Sequence, residues 1–561
     1  MENETPQGSI LSPLLFNLLM EQLVALPFHT GTVLLSYADD LALMVTGKGN
    51  KLRKTQQALD LISEKCQDLG LKISAEKTRA MMLKAADPAW QLRVQGIDLA
   101  WTNSYQYLGV QYLTNFLAHS RMDGAEAPVE WQGGLNLTYR LGPGLETAGW
   151  KVKMDVHTSN IPVTIYNVVA MMQGSEEPDR YVVLGNHRDA WIFGSLDPSS
   201  GTASLLELSR VLTQLRNDTG WSPRRSVVLC SWAAEEYGLI GSMEWIEQFG
   251  TQLMDRGVVY LNVDMAIEGN VTLRAKSAPL LYDALFQAAA KVPNPNPDEV
   301  TAGRPTVYDT WALSTPDSSH PGRPSVLSLG GGSDYLGFQD KYGIPSLDIR
   351  YTHGPDMYTE PLYHTLYETF ELVDELFDIG FHYHAAVTQL WAIIAVDFAD
   401  SKVLPFSLVE YSSYVADAHT DLLQHYGDLI ATRNISMEYF AEAIDQFSQA
   451  TANFSSNLPS EDLAGVLEAR RINDQMMLVE RSFLDRQGLP RRPDYNHVVV
   501  APSSSDEYAG NAFAGLTDAL NGIESLSPEE QEDRWREFSQ HLAAVTHFLG
   551  VAAKVLTLDL W

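Results

Sequence analysis

VVLGNHRDAWIFGSLDPSSGTASLLELSRVL, residues 182–212, followed by RRSVVLCSWAAEE, residues 224–236, is the stretch on which the fold turns. Its opening VVL is a continuous apolar run after a polar start, which suits a central strand of a parallel sheet covered on both faces. A loop holding His187, Asp189 and Asp197 follows. Asp197-Pro198-Ser199-Ser200-Gly201 then opens a segment with helical apolar spacing, its serines available as a cap. Residues 226–232 read as a second buried strand, ending on the paired carboxylates Glu235 and Glu236. One of the pair is available to a metal and its neighbour to a proton. Nitrogen and carboxylate donors at strand ends are what a hydrolytic zinc site requires. An aspartate close to a metal-binding histidine often fixes the tautomer of the ring, which is the part expected of Asp189.

Outward from this stretch the same pattern repeats. Upstream, IPVTIYNVVAMMQG (161–174) reads as a strand with its Val and Met pairs on buried positions, and the alternation in 131–144 and 150–160 suggests earlier strands. Downstream, the apolar run 258–263 ends on Asp264, residues 344–351 form a fourth strand, and Pro361-Leu362-Tyr363-His364 supplies a second histidine. In open α/β sheets the crevice lies at the carboxyl ends of the strands, so these groups can converge there. Singly, a loop histidine or an Asp-Pro-Ser-Ser-Gly turn has a plain structural explanation. In the order His187, Asp197, Glu235-Glu236, Asp264, His364 they make a ligand set. From about Leu404 the spacing becomes helical in four long segments, whose Met and aromatic stripes are read as core.

A chain of 561 residues is too long for one core, and its 45% hydrophobic content is ordinary for folded protein. Its net charge of −32 is uneven: residues 1–120 are close to neutral, so nearly all of the excess sits in 121–561. Such a surface is a poor partner for a phosphate backbone, and no nucleic acid is expected. Two cysteines, Cys66 and Cys230, exclude a disulfide framework. No apolar window is long enough to span a bilayer, and the start MENETPQGS lacks a signal peptide's regions, so no membrane anchor is expected in this chain. Five Asn-x-Ser/Thr sequons, at Asn136, Asn217, Asn270, Asn434 and Asn453, point instead to a glycoprotein ectodomain. The compartment stays open on the residues alone.

Within residues 1–120, Pro6-Gln7-Gly8-Ser9 precedes LSPLLFNLLM, Tyr37-Ala38-Asp39-Asp40 lies between apolar runs, and LGLKISAEKT and Tyr107-Leu108-Gly109 follow. In that order these motifs resemble the later palm motifs of a non-LTR retrotransposon reverse transcriptase. The resemblance implies an α+β palm fragment with a hairpin at the two aspartates. The family's earlier metal-binding aspartate has no counterpart, so a two-metal clamp is incomplete and polymerase activity is not expected.

Across residues 130–561, NHRDAWIFGSLDP, SWAAEEYGLIGSMEW, LNVDMAIEGN and PLYHTLYET resemble the co-catalytic zinc peptidases typified by glutamate carboxypeptidase II. The resemblance implies an α/β fold, a mixed sheet with helices on both faces, plus a C-terminal helical bundle. It divides the chain into a palm fragment (1–120), a remnant of an apical domain (121–160), a zinc peptidase domain (161–403) and a helical domain (404–561) similar to the dimerisation domain shared with the transferrin receptor, hence a homodimer. It implies that Asp197 bridges two zinc ions, that His187 and Asp264 complete one and Glu236 and His364 the other, and that Glu235 is the general base. The bond before Pro198 is expected in the cis form, which costs an X-Pro bond little. Glu244 and Glu247 match a structural calcium position whose other ligands have no counterpart here.

In the resembled enzymes a C-terminal glutamate is held by residues matching Tyr363, Gly332, Arg274, Arg350 and Tyr508. The family's loop asparagine is Ser333 here, one of its arginines is Asp348, and its lysine is Glu507. A glutamate in place of that cation repels a substrate carboxylate, so weakened glutamate selectivity and aminopeptidase-like cleavage of short peptides are expected. Two other readings compete: a receptor-like relative without activity, which would have lost ligands that are all retained here, and an inactive fusion product.

Overall fold

The computed structural model describes residues 161–354, 362–459 and 465–557, together with short stretches before residue 161. The chain divides into two compact units, Met1–Val163 and Thr164–Trp561. In the first, β1 (Thr32–Tyr37) and β2 (Asp40–Val45) pair antiparallel with Tyr37 opposite Asp40, and α1 (Lys51–Asp68) packs on them. Tyr37 and Asp40 of the Tyr-Ala-Asp-Asp motif thus close the described part of a hairpin, as expected. Ala38 and Asp39 lie outside the described residues. So do most of the strands expected between 131 and 160, where an antiparallel bridge joins Glu126 to Arg140.

The second unit is built on a six-stranded sheet of β3 (Val168–Met172), β4 (Glu177–His187), β5 (Arg225–Trp232), β6 (Gly257–Asn262), β7 (Thr272–Ser277) and β8 (Ser346–Thr352). Its spatial order is β7-β8-β6-β4-β5-β3. The four inner strands run parallel and the two edge strands antiparallel to their neighbours. Every residue of β6 and the last six of β4 are buried, so both faces are covered, and the uninterrupted apolar runs follow from that. The helices that cover it include α2 (Ser199–Thr219), α3 (Ile240–Arg256) and α5 (His382–Asp400), with α4 (Tyr282–Lys291) packed on α5.

β3 departs from expectation. Its Val168, Val169 and Met171 are exposed, because it lies at the sheet edge and no helix among the described residues covers it. An apolar run looks the same in sequence whether the strand is central or terminal.

Beyond the sheet come α6 (Leu408–Ala431), α7 (Glu438–Ser456), α8 (Val466–Arg481) and α9 (Pro528–Thr557), with α7 packed on α6 and α9. Sheet and helices share one core running through Trp391, Phe398, Leu404, Tyr411 and Phe447. Polar staples reinforce it. Buried Glu480 accepts from Gln339 (2.5 Å), His497 (3.0 Å) and Tyr411 (3.2 Å). Arg481 donates to the carbonyls of Met254 and Gly257, both at 2.6 Å. No helix among the described residues is long and apolar enough to cross a membrane. Of the sequons, Asn217, Asn434 and Asn453 are exposed, whereas the Asn270 amide donates to the Phe377 carbonyl at 2.9 Å.

Candidate active site

Strand register brings the ligand-type residues together. His187 is the last residue of β4 and lies opposite Trp232, the last of β5, so Glu235 and Glu236 emerge beside it. Asp264 follows the end of neighbouring β6. His187 Nε2 is 3.2 Å from Asp264 Oδ1 and 3.0 Å from Asp197 Oδ1. His364 Nε2 is 2.9 Å from the other Asp197 oxygen, Oδ2, and 3.3 Å from Glu236 Oε2. Asp197 therefore presents one oxygen to each histidine. His187, Glu235 and Asp264 form one ligand group and Asp197, Glu236 and His364 a second.

Buried Asp197 Oδ1 and Glu236 Oε1 have no aligned hydrogen-bond donor, close as the histidine rings are. Buried carboxylate oxygens left without donors are costly unless a cation answers them, and this donor set suits zinc. The residues fit a metal pair.

The surrounding contacts hold these groups in place. Asn186 donates to the carbonyls of Val263 (2.9 Å) and Asp264 (2.8 Å) and accepts from Thr202 (2.6 Å), tying β4 to the segment after β6. At Gly201 a Cβ would lie 2.4 Å from the Asp264 carbonyl oxygen, so only glycine lets α2 start this close to the ligand strand. The Asp197-Pro198 bond is cis, as expected. The expected serine cap is absent: Pro198 takes the cap position and makes no side-chain capping bond. Ser200 lies inside the helix, donating to the Leu196 carbonyl (2.6 Å) and accepting from the Ala266 amide (2.8 Å).

Asp189 also does something other than expected. His187 Nδ1 meets its main-chain carbonyl at 3.0 Å, while its carboxylate stands 3.8 Å away and accepts the amides of Glu235 (3.1 Å) and Glu236 (3.2 Å). The tautomer is thus held by backbone, and the carboxylate orients the Glu-Glu turn. Glu368, unremarked in the sequence, accepts the main-chain amide of Asp197 through one oxygen (2.5 Å) and that of His364 through the other (3.0 Å). Its only sequence signal is its place four residues after His364.

The electrostatics follow from burying so many carboxylates together. Burial, then Asp264 nearby, pushes the Glu235 carboxyl up to about 10, and burial also raises Glu236. Burial raises Asp334 and Glu368, each to about 7. Burial opposes charge on His364, yet hydrogen bonds to Asp197 and Glu236 carry its ring up to about 9. His187 is likewise driven well above the usual range against burial, chiefly by Asp264.

The expected substrate wall is partly assembled. The Tyr363 ring stacks on His364 with centroids 3.7 Å apart, and a Cβ on Gly332 would strike the Tyr508 ring. Ser333 does not face outward as a binding group: it is buried, donating to Asp264 Oδ2 (2.5 Å) and accepting from Asn262 (2.9 Å). Arg274 and Arg350 both lean on Glu268, at 3.5 Å each. The Glu507 carboxylate accepts from the Tyr495 hydroxyl (2.9 Å), while buried Lys276, directly opposite Asp348 in the sheet, donates to the Tyr508 carbonyl (2.7 Å). Burial, with Arg350 and Arg274 adding to it, lowers the Lys276 pKa to about 8. The wall is more balanced in charge than Glu507 alone implies. Glu244 and Glu247 are exposed, and Glu247 pairs with Lys341 at 3.3 Å.

Residues 167–377 match peptidase family M28, residues 435–557 the transferrin receptor-like dimerisation domain, and residues 1–112 the reverse transcriptase (RNA-dependent DNA polymerase) family. Aminopeptidase NAALADL1 of Mus musculus is 36% identical over 447 residues, 78% of this chain and 59% of that protein. The glutamate carboxypeptidase 2 homolog of Caenorhabditis elegans is 36% identical over 448 residues, 76% of this chain and 57% of that protein. The probable glutamate carboxypeptidase LAMP1 of Arabidopsis thaliana is 35% identical over 418 residues, 74% and 57% respectively. The chain spans less than two thirds of the length of these relatives.

Proposed function

Residues 167–377 carry a family M28 peptidase domain and residues 435–557 a transferrin receptor-like dimerisation domain, and from that premise we propose that this chain is a co-catalytic di-zinc exopeptidase of short peptides, acting as a homodimer. His187, Asp264 and one oxygen of Asp197 would hold one ion, and His364, Glu236 and the other oxygen of Asp197 the second. Bound there, the pair supplies Lewis acidity to the scissile carbonyl and to the water beside it. Glu235, next to the His187 group, takes a proton from the attacking water and hands it to the leaving amine. Asp189 keeps Glu235 and Glu236 pointed in their separate directions by holding both amides. The observation that carries the reading is the division of Asp197 between the two histidines, 3.0 and 2.9 Å from its two oxygens.

Selectivity for a C-terminal glutamate is weakened on this reading, because a carboxylate occupies position 507. The names of the relatives pull in both directions, aminopeptidase and glutamate carboxypeptidase. Free and N-acetylated forms of one peptide separate the two: cleavage of the blocked form alone would exclude the aminopeptidase direction. The test of the whole reading is bound zinc on purified protein, with two ions per chain expected. Glu235→Gln should keep both ions and lower kcat by ~10²–10⁴-fold. Loss of zinc in that variant, or undiminished turnover, would refute the assignment.

A further inference from the structure

Trp191 and Tyr237 stand in an unusual place for large aromatic side chains. Trp232, Trp311 and Trp391 are at most 1% exposed, whereas Trp191 is 47% and Tyr237 67% exposed. The two rings pack on each other, centroids 5.2 Å apart and tilted 53°. They are also tied to the ligand groups: Trp191 lies two residues after Asp189, Tyr237 directly follows Glu236, and the indole meets the His364 ring edge-on at 6.3 Å. Tyr363, by contrast, stacks flat on His364. The exposed rim of the site is therefore aromatic at two places around one histidine. Tyr363, Gly332 and Tyr508 make one stretch of wall, and Trp191 with Tyr237 a second.

A peptide whose scissile carbonyl sits among the ligands lays its two flanking residues across this rim. If the first wall takes the residue that leaves, the second faces the side chain of the residue that keeps the carbonyl. Neither Trp191 nor Tyr237 carries a formal charge, and an aromatic pair of this kind gains most by being covered with apolar or aromatic surface. Resting on the di-zinc reading above, we infer that Trp191 and Tyr237 form a subsite for the apolar or aromatic side chain of the substrate residue that contributes the scissile carbonyl.

The probes are the zinc-loaded full chain with Phe-Ala, Leu-Ala, Ala-Ala and Asp-Ala, each free and N-acetylated, and the hydroxamates of phenylalanine and alanine measured by calorimetry. Phenylalanine hydroxamate should bind ~10-fold tighter than alanine hydroxamate, and Phe-Ala and Leu-Ala should exceed Ala-Ala in kcat/KM by a similar factor. Trp191→Ala and Tyr237→Ala should erase both preferences, and Tyr237→Phe should retain them. Equal binding of the two hydroxamates by the unaltered chain, or a preference that survives both alanine variants, overturns the subsite. A preference in binding that Trp191→Ala abolishes, with no peptide cut, supports the subsite and instead overturns the peptidase reading. Binding of neither hydroxamate overturns both.

Discussion

The two ligand groups sit less than one side chain apart and are built in different ways. His187 ends a central strand, is 1% exposed, and owes its place to the register of β4 with β5 and β6. His364 lies on a loop, is 28% exposed, and holds a φ of +58°, a left-handed backbone that non-glycine residues adopt uncommonly. What keeps it there is the Tyr363 stack and the Glu368 carboxylate that also grips Asp197. One half of the centre is thus fixed by the sheet, and the other by a single carboxylate bridging two main-chain amides.

Alanine in place of each histidine should expose that contrast most. His187→Ala leaves Asp197, Glu235 and Asp264 facing one another without a nitrogen between them, so it should lose zinc and destabilise the metal-free fold by about 3–5 kcal/mol. His364→Ala should lose one ion and cost no more than about 1 kcal/mol, since the ring is partly solvated. Zinc content and urea unfolding read the two effects, and equal losses would erase the distinction. Next in size, Glu368→Gln should weaken metal binding at the His364 group by ~10–100-fold and disturb the His187 group less, through the shared Asp197 alone, as resolved by titration with cobalt and its visible absorption. A uniform loss at both would make Glu368 a general brace.

The smallest effect is in pH. The metal-free His364 ring titrates at about 9, so an incoming ion must displace a proton. Apparent affinity at that group should climb by up to about tenfold per pH unit and level off near pH 9. The sign for the metal-free fold agrees. The raised pKa values of His364 and of Glu235 (about 10) both mean stability that is complete at low pH and is lost as pH rises through those values. Metal-free protein should melt lower in alkaline buffer, and a flat profile would contradict this.

The sequence was legible wherever an apolar run ended on a ligand-type residue. His187, Glu235-Glu236 and Asp264 could be placed because strand ends of a parallel sheet point one way. Glu368 was not legible, since its partners are backbone amides and carry no side-chain signature. The same holds for Asp189, whose carboxylate grips the Glu235 and Glu236 amides rather than the His187 ring. Glu507 was recognised as a charge change, but its neighbour Tyr495 and the buried cation at Lys276 come from remote stretches that only the tertiary fold unites. β3 shows the remaining gap: hydrophobicity specifies a strand without saying whether anything will lie over it.

The loop at Gly330–Gly332 receives its far side from the helical half of the chain: the Gly331 amide donates to the Glu507 carbonyl at 2.6 Å, and Tyr508 lies against Gly332. A genetic breakpoint after residue 403 would therefore not leave that rim whole. It would take Glu507 and Tyr508, and with them the backing of Gly331 and Gly332, away along with the helices.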